Sequence, residues 1–500
     1  MASKRKTLEV LLLSLISTIA FCFLWSIEIS KVFVFVVVFS VLSIFYSKVN
    51  YNKQKSVIIL AVVLSFLLIL GKYVVFIYES TGLMVWVKLL MTFVGAFLFL
   101  NRFLGVSFNK LEAYSNGKTK EFSNKKLFFI SFAIILAAWI PAWLAEYPGI
   151  FTPDTIAQLN QAIGTAEYNN MNPLIHTFML KLAYDFVSIF TKDINVCSFV
   201  VGMIQMVCNS LIYSYVIVYI NKRTKNKILT IASIMFFALV SFNVFNNVTV
   251  SKDSAYAAFT ALFVISIDKY CLCQSKRNAV LFVIISILYC LLRSNGYYSF
   301  VVVMAVLFLL LLKKNFKKTA ILFLVAFILC TIIKVPVYNT ILKAVNKSEK
   351  VINVELPNNG SGNNYKFRGN FLYVVPFQQV ANVVVHDREL NEKEQWLIEE
   401  YMPLDKFKDV YDPILVDPLF DYITNHFKPS RGDISNIEYL KLWIELFLKY
   451  PQDYIGAYVN MNRYYYYPSR YVDMYYIGVA NNSLGIERKP LISDEYTYEV

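Results

Sequence analysis

Residues 127–158 read LFFISFAIILAAWIPAWLAEYPGIFTPDTIAQ. The apolar run from Leu127 to Glu146 has the length, about 20 residues, that spans roughly 30 Å of hydrocarbon. A polar stretch with an acidic residue, Asp154, follows at once. A crossing that empties into a loop of this kind makes the chain a membrane protein with chemistry at one surface. Comparable runs recur at 8–27, 31–47, 56–78, 82–101, 196–220, 228–245, 254–268, 278–292, 296–312 and 319–338, and then stop. The composition agrees, with 57% hydrophobic and 16% charged residues and a mean hydropathy of +0.51, against about 45–50% and 25% in soluble domains. The expected fold is therefore a polytopic α-helical membrane protein of about 11 transmembrane helices with a C-terminal extracytoplasmic, mainly α domain. Its expected divisions are a four-helix membrane module (1–126), a transmembrane core (127–338) carrying outer loop 147–195, and the polar domain (339–500).

The 48 Lys and Arg against 34 Asp and Glu give +14, a balance that in a soluble chain points to nucleic acid. The location of the charges excludes that class. Residues 1–338 hold 31 basic and 12 acidic side chains, and residues 339–500 hold 17 and 22. With the N-terminus cytoplasmic, the inner loops 1–7, 48–55, 102–126, 221–227, 269–277 and 313–318 collect 23 of those 31 basic residues, as the positive-inside rule requires. A crossing at 174–191 would turn the last three of these loops outward. That segment carries Lys181 and Asp185 within a weakly amphipathic pattern, so it reads as an interfacial helix on the outer surface, a tilted or re-entrant span being the alternative. Loop 147–195, turn 246–254, the turn at Arg293 and everything from Tyr338 onward then face outward. The apolar run after Lys4-Arg5-Lys6 is too long for a cleavable signal and reads as a retained first span. All seven cysteines precede residue 339, so the polar domain can build neither a disulfide framework nor a cysteine zinc site.

Four places carry candidate chemistry. Asp154, just beyond a span ending in Trp139 and Trp143 as expected interfacial anchors, is placed to deprotonate an acceptor hydroxyl beside a lipid-borne donor. The plainer account makes Thr152 an N-cap, Pro153 the first helical residue and Asp154 a complement to the helix dipole. His176, in Asn172-Pro173-Leu174-Ile175-His176, suits a substrate hydroxyl or phosphate, or else a cap. Lys252-Asp253 in an outer turn offers a cation to a lipid phosphate, or an anchoring ion pair. Arg293-Ser294-Asn295-Gly296 forms a tight turn, with Gly296 free to take positive φ and Arg293 suited to forked phosphate recognition. In the polar domain, Asn391-x-x-Glu394 and Ser435-x-x-Glu438 read as capping boxes.

Taken together, Tyr147-Pro148-Gly149 with Asp154, Asn172-Pro173-Leu174-Ile175-His176, Lys252-Asp253, Leu292-Arg293-Ser294-Asn295-Gly296 and the external tail resemble bacterial integral-membrane glycosyltransferases of the GT-C fold. They look most like a branch from low-GC Gram-positive bacteria. The resemblance implies a polyprenyl-phosphate-sugar donor, inversion at the anomeric carbon, Asp154 as catalytic base, and Lys252 and Arg293 on the donor phosphate, with His176, Asp253 and Asn295 completing the substrate site. The acceptor would be an envelope glycan, lipid or protein. Many members carry an Asp-Glu pair and Pro-Pro-Leu, whereas Thr155 follows Asp154 here and a single Pro173 precedes Leu174. No cofactor is implied with certainty, and a divalent metal is left open. A lipid-linked glycan transporter or flippase would need polar groups along a path across the bilayer, usually with an internal repeat. A noncatalytic envelope scaffold would leave Asp154, Lys252 and Arg293 individually dispensable.

Overall fold

The computed structural model describes residues 2–28, 30–80, 82–115, 123–169, 172–311, 316–348, 374–400, 402–426, 436–463 and 478–492. It is about 81% helical and, among the described residues, has no strand. Among the described residues, seven helices are long and apolar enough to cross a bilayer, or eight if the pair Lys227–Leu239 and Ser241–Val248, bent by 51°, is one span. The other expected crossings are shorter: Val32–Lys48 and Lys276–Leu292 each have 17 residues, and the apolar part of the next helix runs Asn295–Leu309. Seventeen residues rise only about 26 Å, a little less than the hydrocarbon core. Segment 174–191 folds as the 15-residue helix Leu174–Ser188, too short to cross. It buries Leu174, His176, Leu180 and Val187 and exposes Leu182 and Phe186.

Packing divides the chain into two compact units, Met1–Ala113 with Asn358–Tyr471 and Tyr114–Pro357 with Val472–Val500. Polar and close contacts fix the packing within each unit. In the first unit, Gly95 lets helices Ala2–Leu24 and Leu83–Ser115 meet so closely that an added Cβ would lie 2.4 Å from Ala20 Cβ. The end of helix Lys55–Glu79 is held by the polar segment through Tyr78, whose hydroxyl donates to Asp453 Oδ1 at 3.0 Å and whose ring stacks on His386 at 4.2 Å. Asp453 is fully buried and takes a forked pair of hydrogen bonds from Arg388, at 2.9 and 3.0 Å. A buried carboxylate is tolerated when paired and hydrogen-bonded in this way. The capping box at Asn391 and Glu394 forms as expected, with both bonds at 2.9 Å. The one at Ser435 lies outside the described residues.

The core of the second unit is where the sequence expectation about tryptophan fails. Trp139 and Trp143 are buried at 0% and 2% exposure, not set at an interface. Their helix, Asn124–Ala145, packs on Ile194–Thr224, and Trp139 Nε1 donates to the Phe237 carbonyl at 3.0 Å. Gly202 makes the approach possible, since a Cβ there would sit 2.2 Å from the Trp143 ring. Where the Lys227–Leu239 helix breaks, the Asn243 side chain donates to the Phe236 carbonyl at 2.8 Å and satisfies a helix-end acceptor. Asn209 then bonds both Asn247 and Ser254, at 3.0 and 2.9 Å, and so fixes the turn that leads into helix Lys252–Leu272.

Candidate functional site

The loop after Asn124–Ala145 is pinned from two sides. Ile150 pairs with Val250, whose N–H donates to the Ile150 carbonyl at 3.0 Å, and Phe151 exchanges backbone hydrogen bonds with Gly478 and Ala480 at 3.0 and 2.8 Å. The second of these partners comes from the far end of the chain. The same end supplies Arg488, which forks onto Glu146 with two bonds of 2.9 Å, and Glu146 is fully buried. Lys489 and Leu491 add backbone bonds to Tyr147 and Leu144, at 2.8 and 3.0 Å. This strap was not found from the sequence: Glu146 closed a span and Arg488 was one of many basic residues in the tail. The only signal was an acidic residue at the end of an apolar run, a position that calls for a partner.

Clamped in this way, the loop starts helix Pro153–Ala162. Thr152 caps it, accepting from the Thr155 N–H at 3.4 Å, and Pro153 is its first residue, as the capping reading expects. The Thr155 hydroxyl donates to the Val250 carbonyl, which ties this helix start to the start of Lys252–Leu272. Asp154 is thereby brought to Lys252: the ammonium lies 2.7 Å from Asp154 Oδ2 and 3.3 Å from Asn172 Oδ1. The two partners are unlike. Lys252 is 12% exposed and Asp154 67%, so the cation is sunk in the protein and the carboxylate faces outward. The capping role and the pairing hold together.

Lys252 opens its helix after the Ser251 cap. A cation there opposes the helix dipole, and nearby anions offset that penalty. Asp253, the next residue, is paired with Arg293 through Oδ1 and Nη1. Two ion pairs therefore stand on consecutive residues, and Asp154, Lys252, Asp253 and Arg293 form one row of alternating charge. Asp154 and Lys252 each lie in the first turn of a helix, so the row runs across two helix N-termini, which favour an anion.

Three expected site residues sit differently. Gly296 has no positive φ; it lies within helix Ser294–Leu311, where a Cβ would come within 2.6 Å of the Tyr289 carbonyl oxygen, so it is needed for close packing. Asn295 is exposed in the first turn of that helix and hydrogen-bonds to none of the row. His176 is 2% exposed, its ring nitrogens each 3.1 Å from a glutamine oxygen, Gln158 on one side and Gln205 on the other. Gln205 in turn donates to the Thr249 carbonyl at 3.1 Å. Burial pushes the His176 pKa down to about 4, with Lys252 lowering it further and the Gln205 bond opposing. His176 is thus a buried crosslink between Gln158 and Gln205 beneath the row. Asn172, from the same motif, meets Lys252 through its side chain, and its carbonyl accepts from the Tyr338 hydroxyl at 3.1 Å.

Among the described residues no three His, Cys, Asp or Glu side chains converge as a metal site, and both carboxylates of the row already hold cations. These residues do not offer a ready ligand set for a divalent metal. No curated protein and no solved structure matches the chain. A model of a family of unknown function, DUF6020, matches residues 162–496. The match starts beyond Asp154 and takes in His176, Lys252, Asp253, Arg293, Asn295 and the Arg488 strap. Because it covers well over half of the chain, the protein belongs to the DUF6020 family.

Proposed function

We propose that this protein is a membrane glycosyltransferase that moves a sugar from a polyprenyl-phosphate donor to a cell-envelope acceptor, with inversion, at the outer face of a bacterial cell membrane. The observation that carries the reading is the exposed Asp154 carboxylate beside the sunken Lys252 ammonium, next to the Asp253–Arg293 pair. In this reading the chain crosses the membrane eleven times, from a cytoplasmic N-terminus to an extracytoplasmic polar domain.

The ion pair says how the parts would work in sequence. The donor phosphate, a monoanionic diester able to reach both cations, takes Asp154's place on Lys252 and draws on Arg293, and Asp154 is released toward the open side. There it accepts the proton of an acceptor hydroxyl as that oxygen bonds to the anomeric carbon. The bond to the phosphate oxygen breaks with its electron pair, and the polyprenyl phosphate leaves with its charge held by Lys252 and Arg293.

The test is sugar transfer by the purified protein in nanodiscs, supplied with polyprenyl-phosphate donors carrying different labelled sugars. Transfer by the wild type that is lost in Asp154→Asn is expected. Equal turnover in both would remove Asp154 as the base, and no transfer from any donor would favour the noncatalytic scaffold.

A further inference from the structure

The end of helix Lys252–Leu272 opposite Lys252 carries a second cationic feature that the reaction does not use. Lys269 lies 17 residues along the helix, or about 25 Å from Lys252. Its ammonium bonds the Tyr215 hydroxyl and sits 5.0 and 5.6 Å from the ring centroids of Tyr215 and Tyr219. Among the described residues it meets no carboxylate. The neighbouring Asp268 is committed elsewhere, to Arg223 at 2.9 Å and to the Tyr219 hydroxyl at 2.6 Å. A cation held by tyrosine faces retains an unneutralised charge.

Beside this ammonium lies a partly open cavity of about 180 Å³. Its walls are apolar at Leu262, Ile265, Leu281 and Ile285, and polar at Ser266 and Asn278 near Lys269. Val264, Leu272, Val280 and Ile284 are exposed close by in sequence, on the same two helices. Both helices are apolar and one is long enough to span, so these side chains are fitted to hydrocarbon. Lys222, Lys225 and Lys227 stand where helix Ile194–Thr224 gives way to Lys227–Leu239, and Lys276 and Arg277 open helix Lys276–Leu292. One charge without an acidic partner, an apolar groove below it and a basic rim match a lipid that is anionic at its head and carries an acyl chain.

We propose that Lys269 and this groove bind one anionic phospholipid, its phosphate on Lys269 and one acyl chain along Leu262, Ile265, Leu281 and Ile285. The site is separate from the row at Asp154 and does not depend on the proposed reaction. The rim attracts anionic headgroups in general, whereas the groove demands an attached chain.

The test uses the full-length protein, delipidated in detergent, with thermal unfolding followed on addition of phosphatidylglycerol, phosphatidylcholine or inorganic phosphate. Phosphatidylglycerol should raise the midpoint of the wild type, and the other two should not. Lys269→Gln, which keeps a hydrogen-bonding group for Tyr215, should abolish that rise, and Lys269→Arg should keep most of it. Leu281→Trp, which fills the groove with the charge intact, should abolish it as well. Native mass spectrometry should show one phosphatidylglycerol fewer on Lys269→Gln than on the wild type, a readout that survives if a variant's basal stability changes. An equal rise with phosphatidylcholine would reduce the site to ordinary lipid contact, and a rise with inorganic phosphate alone would make it a phosphate site without a chain. Either result, or an undiminished response in Lys269→Gln, overturns the proposal.

Discussion

Asp154 and Arg293 act on different atoms in the proposed reaction, and kinetics separate them. Removing the base lowers turnover by about 10²–10⁴-fold, so Asp154→Asn should depress turnover while donor binding is undiminished or tighter, because the carboxylate that competes for Lys252 is gone. Arg293 meets a phosphate present in both ground and transition states. Arg293→Ala should weaken donor binding as well as slow transfer, and Arg293→Lys should restore only part, because an ammonium lacks the planar fork. His176 predicts a pH effect on stability. Its folded-state pKa, about 4 against the ordinary 6.5, means that the unfolded chain takes up the proton first. Stability from this site is therefore full above about pH 6.5 and falls as the pH drops toward 4, by at most about 3 kcal/mol. Thermal unfolding from pH 7 to 4.5 should show a shallower loss for His176→Gln than for the wild type. Parallel curves would mean that the ring is not held neutral.

Between elements, the strap formed by residues 478–492 is the contact whose loss should matter most. Arg488→Ala strands the fully buried Glu146 carboxylate, and breaking a buried pair from one side costs about 3–5 kcal/mol. The expected outcome is a lowered unfolding midpoint together with slowed transfer, since the same segment holds the backbone at Phe151, three residues before Asp154. Glu146→Gln with Arg488→Met should recover a large part of the stability, because no buried charge remains unpaired. If Arg488→Ala unfolded like the wild type, the clamp would have no energetic role. Local signals made several element boundaries legible beforehand. Thr152-Pro153 announces a helix start and Asn391-x-x-Glu394 a capping box, because a cap is built from residues within one turn. Gly296 was misread for the same reason: its neighbours in sequence suggest a turn, while its close contact is the Tyr289 carbonyl of the preceding helix.

For the molecule as a whole, the proposed orientation is open to direct test. Lys393 is exposed in the helix Glu392–Glu399 of the polar segment. In a background without the seven native cysteines, Lys393→Cys should react with an impermeant thiol reagent in intact cells. Labelling only after lysis would put that segment inside. Ser361, in the Asn- and Gly-rich stretch 356–364, would suit the same probe by sequence and lies outside the described residues. The amino-acid sequence by itself determined the membrane class, several long apolar helices and the helix caps at Thr152 and Asn391, because hydropathy over 20 residues and capping over four are local properties that survive in one dimension. Tertiary structure alone decided which charges meet. Asp154 and Lys252 are 98 residues apart and Glu146 and Arg488 are 342 apart, and an ion pair has no period or spacing that singles out one partner among 48 basic residues. The same limit explains Trp139 and Trp143. Their place at the end of an apolar run fits an interface, and only the neighbouring helices turn them into core, Gly202 opposite Trp143 and Tyr213 with the Phe237 carbonyl opposite Trp139, since burial depends on what stands opposite.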